Sequence, residues 1–400
     1  MTRQESEKQL QKLFGFKQFF DLQWQVIENL LAGRRVLFIE KTGFGKSLCF
    51  QFPATQLQGV TIVFSPLIAL MRDQVRSMQE KGIRAAAINS NQEDDENTVI
   101  ITKAQNNQLD ILYIAPERME NAAWITAARE MKIAMVVIDE AHCISMWGQS
   151  FRPNYRRIVN LVRLLPKSFP VLATTATATL RVQEDIIQQV GTDLIPIRGQ
   201  LLRSNIRLFV VTVQSEDEKF FWLATYLPKL RKTGIVYTGT QANTDIFSNW
   251  LQFLKFNSAA YSGRLDAESR MRVETDFIQN KYDCVVSTNA LGMGIDKPDI
   301  RFIIHTQVPQ SPIHYYQEIG RAGRDGQEAF AILLYNPNED AELPRAFIDG
   351  SKPAVAKYEK VIAVTKKALL GRNEIIKATN LKQTQVSVIL ADLIDQKIIN

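Results

Sequence analysis

Short apolar runs alternate with helix-spaced amphipathic stretches along most of this chain, and that alternation leaves few folds open. Runs at 35–39, 60–64, 84–88, 110–114, 134–138 and 170–174 read as strands, with helical patterns between them up to about Val190. Strands that are apolar throughout and separated by helices belong to parallel sheets covered on both faces. The pattern pauses at Pro196-Ile197-Arg198-Gly199-Gln200, then resumes with runs at 206–213, 233–237, 258–261, 283–287, 300–305 and 328–334. A second α/β domain is expected, a duplicated architecture without a short sequence repeat. The length of 400 residues allows about two or three domains.

From about Asn338 the pattern changes to helices without strands. Arg372 to Ala378, a turn at Thr379-Asn380 and a second helix from Thr384 to about Asp395 have helix-turn-helix spacing. Ile375, Ile376, Leu381, Val386, Ile389, Leu390 and Leu393 would fill its small core, and Ile398-Ile399-Asn400 would begin the strand of a winged helix. Eight basic residues stand against Glu359 and Glu374 between Lys352 and Lys382. A solvated helix face accounts for such a run, and nucleic acid accounts for it better. The overall charge of +6 permits a polyanionic partner without demanding one. No run of about 18 apolar residues is present, so no membrane role is expected. Residues 1–10 are polar and lack a secretory apolar core, which points to the cytoplasm. Cys49, Cys143 and Cys284 are far apart, with neither zinc-ligand nor disulfide-framework spacing.

Two stretches carry chemistry. Val136-Val137-Ile138 ends by presenting Asp139 and Glu140, where parallel strands deliver ligands to a crevice. One carboxylate suits a Mg²⁺ that bridges phosphates, and its neighbour suits the attacking water. Taken alone, the pair also reads as an ordinary strand end. Upstream, a strand at 35–39, the loop Glu40-Lys41-Thr42-Gly43-Phe44-Gly45-Lys46-Ser47 and a helix from Leu48 form a phosphate cradle. Gly43 and Gly45 let backbone N–H groups converge on phosphate with the positive helix end behind them. Lys46 would reach the outer phosphates and Ser47 would ligate Mg²⁺, with Thr42 in the same loop. Glu40 stands where the general pattern has glycine.

The chain resembles the RecQ family of superfamily 2 DNA helicases over roughly residues 10 to 337. Gln317 to Gly326 resembles the family's motif VI, which implies that Gln317, Arg321 and Arg324 face ATP from across a cleft, Arg324 as the preferred arginine finger. Ser287 to Pro298 resembles motif V, with Asp296 near the ribose, and Thr175-Ala176-Thr177 resembles motif III. Ser145 to Tyr155 is similar to the aromatic-rich loop of these helicases, which implies base stacking by Trp147 and Phe151 and phosphate contact by Arg152. Phe14 to Gln23 resembles the adenine-recognising motif, with Gln23 on the adenine edge. Phe64 to Gln74 matches motif Ia, which puts Ser65 on the DNA path, and Ala115 to Arg118 resembles a further DNA-contacting element. Departures from the family are Phe20 for arginine, Gln149 and Ser150 for a histidine and an acid, Leu291 for phenylalanine, and a tail without cysteine.

The resemblance implies two RecA-like parallel-sheet domains at 1–200 and 201–337, and the spacing of the tail adds a small helical, winged-helix-like DNA-binding domain at 338–400. The resemblance also implies ATP and Mg²⁺ as cofactors and 3′-to-5′ translocation on single-stranded DNA with duplex unwinding, while the tail without cysteine leaves no zinc expected. Partners would be single-stranded DNA and its junctions with duplex, for a monomer working at the bacterial nucleoid. Two other readings stay open: a nucleic-acid binding or annealing protein with weak ATPase, and an RNA helicase of the same superfamily.

Overall fold

A computed structural model describes residues 1–400 except 90–91, 93, 146–153, 202, 231–232, 293–294, 296, 341–354, 367–369, 382–384, 387–388, 391–392, 394–397 and 399–400. Its contacts divide the chain into two units, Met1–Asn338 and Glu339–Asn400.

The larger unit holds two parallel sheets. The first is built from β1 (Arg35–Ile39), β2 (Val60–Phe64), β3 (Ala85–Ile88), β4 (Ile111–Ile114), β5 (Ile133–Ile138), β6 (Val171–Thr175) and β7 (Ile195–Arg198) in the order β3-β4-β2-β5-β6-β1-β7. Period-two alternation sends Leu37, Ile39, Val136 and Ile138 into one apolar cluster and Val36, Phe38, Met135 and Val137 into the other, so helices cover both faces. Full burial of each such side chain stabilises by about 1.5–3 kcal/mol, which is why these strands carry so little polar character.

β7 is a correction, because its residues fall in the stretch where the apolar pattern pauses. It pairs in parallel with β1, Pro196 opposite Leu37. Proline lacks the N–H that an interior strand needs, and an edge position tolerates that loss. Only Ile197 of the strand is buried, so the apolar run that marks the other strands never forms.

The second sheet comprises β8 (Ile206–Thr212), β9 (Gly234–Tyr237), β10 (Ser258–Tyr261), β11 (Cys284–Ser287), β12 (Phe302–His305) and β13 (Ala329–Tyr335), ordered β10-β11-β9-β12-β13-β8. A Cβ on Gly234 would lie 2.1 Å from the ring of Phe302, its partner on β12, so glycine there lets the ring lie over β9. Among the described residues no helix is long and apolar enough to cross a membrane.

In the smaller unit, helices Val355–Thr365 and Arg372–Thr379 pack around Val361, Ile375, Val386, Ile389 and Leu393. The second helix ends at Asn380, whose φ of +53° suits asparagine as a left-handed cap. The following helix and the terminal strand start expected there lie largely outside the described residues.

Candidate nucleotide cleft

Strand order brings the chemistry together. β6 lies between β5 and β1, so the loops leaving β1 and β5 flank the end of β6 at one edge of the sheet. Gly43 and Gly45 in the β1 loop take φ of +76° and +87°, left-handed values that favour glycine. Lys46 Nζ donates to the carbonyls of Glu40 (2.7 Å) and Lys41 (3.0 Å). Burial lowers its pKa, while Glu140, Asp139 and Glu40 pull the other way. Ser47 opens the helix Leu48–Gln56.

Glu40 is buried, and its Oε1 accepts the Lys41 N–H at 3.0 Å. Burial raises its pKa. A Cβ on Gly199 would fall 1.4 Å from Glu40 Oε2, so the glycine missing at position 40 has its counterpart at position 199, just past β7. Gln23 Nε2 donates to the carbonyls of Phe44 (3.2 Å) and Gly45 (3.3 Å), and its Oε1 accepts the Phe20 N–H (3.0 Å). In this arrangement the amide braces the phosphate loop. Phe20 packs on Phe44 of the same loop, ring centroids 5.3 Å apart.

Asp139 extends the ladder, its N–H donating to Phe64 O. Its Oδ1 accepts from Thr174 Oγ1 (2.8 Å) and the Glu140 N–H (3.0 Å), and its Oδ2 from Ser65 Oγ (3.2 Å). Burial, then the neighbouring Glu140, pushes its pKa up to about 6, against the pull of Thr174 and Lys46. Glu140 takes the left-handed region at φ +50°, a backbone conformation that costs a side chain of its kind about 1 kcal/mol or more. Burial works to raise its pKa, but His142, Lys46 and Arg321 outweigh it and hold the carboxyl below its ordinary range. His142 Nδ1 lies 3.2 Å from Glu140 Oε2 and 3.1 Å from Thr175 Oγ1. Burial opposes its charged form, yet Cys143 and Glu140 raise its pKa to about 10.

Ser65 corrects an expectation. It is buried, its hydroxyl donates to Asp139 and its N–H donates to Ile114 O, so it steadies a carboxylate and leaves no donor for a DNA phosphate.

The second sheet supplies the opposite wall. A cleft of about 440 Å³ is lined by Thr42, Gly43, Gly45, Lys46, Ser47, Asp139 and Glu140 on one side and by Gln317, Arg321 and Arg324 on the other. Helix Pro312–Ile319 carries Gln317 and is braced by a buried His305–Glu318 contact of 2.8 Å. Gln317 Nε2 reaches Thr177 Oγ1 at 3.4 Å, and Thr42 Oγ1 donates to Gly320 O at 2.9 Å. Asn205 Nδ2 donates to Gly323 O (2.8 Å) and Gln327 O (2.7 Å), fixing the loop that bears both arginines. Burial pushes the Tyr237 phenol up to about 12, with Arg321 acting against the shift.

The residues fit a magnesium nucleotide. Arg321 is buried in the cleft wall with an Nε that has no hydrogen-bond partner among the described residues, which suits an anion. Among the described residues no three His, Cys, Asp or Glu side chains could hold a metal unaided. A single hydroxyl, Ser47, and one carboxylate, Asp139, match Mg²⁺, which keeps waters and takes its other ligands from phosphate. Trp147, Phe151, Arg152 and Asp296 lie outside the described residues.

Family models agree with this geometry. Residues 20–186 match the DEAD/DEAH box helicase model, and residues 218–326 match the helicase conserved C-terminal domain model. The ATP-dependent DNA helicase RecQ of Synechocystis is 36% identical over 368 residues, which cover 89% of this chain and 75% of that protein. The chain belongs to the RecQ family. Its RecQ relative from Haemophilus influenzae is 36% identical over 342 residues, 85% of this chain and 55% of the relative. The chain thus spans about half the length of several RecQ relatives it matches. In fold, it is similar to the DUF1998 helicase MrfA bound to DNA, with TM-score 0.71 and 20% identity, covering 86% of this chain and 52% of that one. A DEAD-box helicase bound to single-stranded RNA matches at TM-score 0.67 and 15% identity, covering 98% and 86%.

Within this RecQ-family cleft, three contributors lay beyond sequence reasoning. Thr174 holds Asp139, the Tyr155 hydroxyl donates to Asp139 O at 2.9 Å, and Arg203 Nη1 donates to Ala322 O at 3.0 Å. Thr174 is the residue immediately before the Thr175-Ala176-Thr177 triplet and Tyr155 closes the Ser145-to-Tyr155 stretch, while Arg203 had no signal in the sequence.

Proposed function

We propose that this chain is the motor of an ATP-dependent DNA helicase, hydrolysing ATP with Mg²⁺ in the cleft and moving 3′ to 5′ on single-stranded DNA to separate duplex. The observation that carries the reading is the cleft itself, with Lys46, Ser47, Asp139 and Glu140 on one wall and Gln317, Arg321 and Arg324 on the other.

The loop N–H groups and Lys46 hold the β- and γ-phosphates, and Ser47 and Asp139 hold the metal. Mg²⁺ held by Ser47 and Asp139 would neutralise phosphate charge. Glu140, kept ionised by His142, orients the attacking water and accepts its proton as oxygen bonds to the γ-phosphorus. The bond to the bridging oxygen breaks, ADP carries off the negative charge, and Arg321 and Arg324 stabilise the charge spread in the transition state. Because those arginines come from the second lobe, hydrolysis requires lobe closure, and reopening after product release supplies the step. Gln23 holds the loop and offers its remaining acceptor capacity to adenine. Trp147, Phe151 and Arg152 are assigned to single-stranded DNA and Asp296 to the ribose, by family resemblance.

The motor is divided at 1–200 and 201–337, with 338–400 as an added duplex-binding module. The protein acts as a monomer on single strands and their junctions with duplex at the bacterial nucleoid, without zinc.

ATP hydrolysis measured with and without single-stranded DNA, alongside unwinding of a duplex bearing a 3′ overhang, tests this. DNA-stimulated hydrolysis that vanishes in Lys46→Ala, together with strand separation, is expected. Hydrolysis without duplex opening refutes the helicase. Stronger stimulation by RNA than by DNA refutes the substrate.

A further inference from the structure

Arg203 stands three residues before β8, where the chain enters the second sheet, and its guanidinium joins two loops from different lobes. Nη1 donates to Ala322 O at 3.0 Å, a carbonyl inside the stretch that bears Arg321 and Arg324. Nη2 donates to Thr42 O of the phosphate loop and lies 3.4 Å from Thr42 Oγ1. A Cβ on Gly43 would lie 2.8 Å from Nη2 and 3.5 Å from Arg324 Cγ, so Arg203 and Arg324 press on the same glycine. Thr42 Oγ1, meanwhile, donates to Gly320 O on the arginine-bearing side. Arg203 does not line the cleft. The residue also borders a small recess with Leu201, Ile206, Leu208 and Tyr316.

We propose that Arg203 is a positioning residue that sets Arg321 and Arg324 in register with the phosphate loop when the lobes meet. This inference rests on the ATPase reading given above. The rigid guanidinium fork serves two carbonyls at a fixed separation, one on each lobe, whereas an ammonium on a flexible stem holds neither at a set angle. The carbonyls of Thr42 and Ala322 are adjacent in sequence to Gly43 and Arg321, so fixing them fixes the distance from the phosphate cradle to the guanidinium groups facing it. A misplacement of about 1 Å at such a centre costs on the order of a hundredfold in rate. Arg203 is not among the side chains that line the cleft, so its loss is expected to act on turnover and to spare the affinity for nucleotide.

The test is steady-state ATP hydrolysis with single-stranded DNA by the wild type, Arg203→Lys and Arg203→Ala, with nucleotide affinity read separately from a fluorescent non-hydrolysable analogue. Arg203→Ala is expected to lose roughly tenfold or more in kcat with KM and analogue affinity held within about twofold, and Arg203→Lys to fall between. A donor and an acceptor dye on introduced surface cysteines, one per lobe, report closure; the native cysteines are all buried and stay unlabelled. The analogue should give one narrow closed population in wild type and a broadened one in Arg203→Ala. A kcat within about twofold of wild type in folded Arg203→Ala overturns the inference, as does a loss that follows the fraction unfolded. Absence of hydrolysis by the wild type overturns the ATPase reading, and the inference falls with it.

Discussion

Replacing Thr174 by valine should shift the pH dependence of Mg²⁺-dependent hydrolysis toward alkaline pH. The hydroxyl is fully buried, donates to Asp139 Oδ1 at 2.8 Å and stabilises only the ionised carboxylate. A hydrogen bond to a charged group contributes about 1.5–3 kcal/mol, and 1.36 kcal/mol corresponds to one pKa unit, so the loss amounts to ~1–2 units. Asp139 already sits at about 6 through burial and its neighbour Glu140. Thr174→Val should therefore move it to about 7–8. If Asp139 holds the metal, protons and Mg²⁺ compete for the same oxygens, so wild-type affinity for Mg²⁺ is expected to fall about tenfold per pH unit below the pKa and to be flat above it. At pH 7 the variant's carboxylate is between about one-half and one-tenth ionised, and its apparent Mg²⁺ affinity drops by about the same factor. Mg²⁺ titrations of ATP hydrolysis between about pH 6 and pH 8.5 read this directly. Valine preserves the shape of the side chain, and the deficit should close at the alkaline end. Superimposable wild-type and variant curves, or a deficit independent of pH, would refute the assignment of Asp139 as the metal-holding carboxylate steadied by Thr174.

Two further perturbations address other parts of the cleft. Glu140→Gln keeps shape and removes proton acceptance, so hydrolysis should fall by about 10²-fold or more while a fluorescent nucleotide still binds; equal losses of both would contradict the role given to Glu140. Gly199→Ala places a Cβ 1.4 Å from Glu40 Oε2 and should destabilise the first lobe by about 1–3 kcal/mol, read as a lower melting temperature. Adding Glu40→Ala should recover most of that loss, and strict additivity of the two changes would show that the residues do not couple.

The sheets were legible because buried parallel strands need uninterrupted apolar runs, and all twelve expected runs are strands with ends shifted by at most two residues. β7 escaped because an edge strand with proline and arginine looks like a linker. Asp139, Glu140, Lys46, Arg321 and Arg324 announced themselves by motif spacing, and the structure brings them to one cleft. The supporting contacts were not legible. Gly199 against Glu40, Gln23 against Gly45 and Arg203 against Thr42 join positions far apart in sequence through distances that only the fold creates. Ser65 was misread for the same reason: its motif locates a strand end, and only the neighbouring strand shows that the hydroxyl turns inward to Asp139.

The left-handed backbone at Glu140 sets heat resistance and fuel use at odds on one residue. Asparagine or glycine would rest there more comfortably, so a single replacement is expected to raise the melting temperature while lowering turnover.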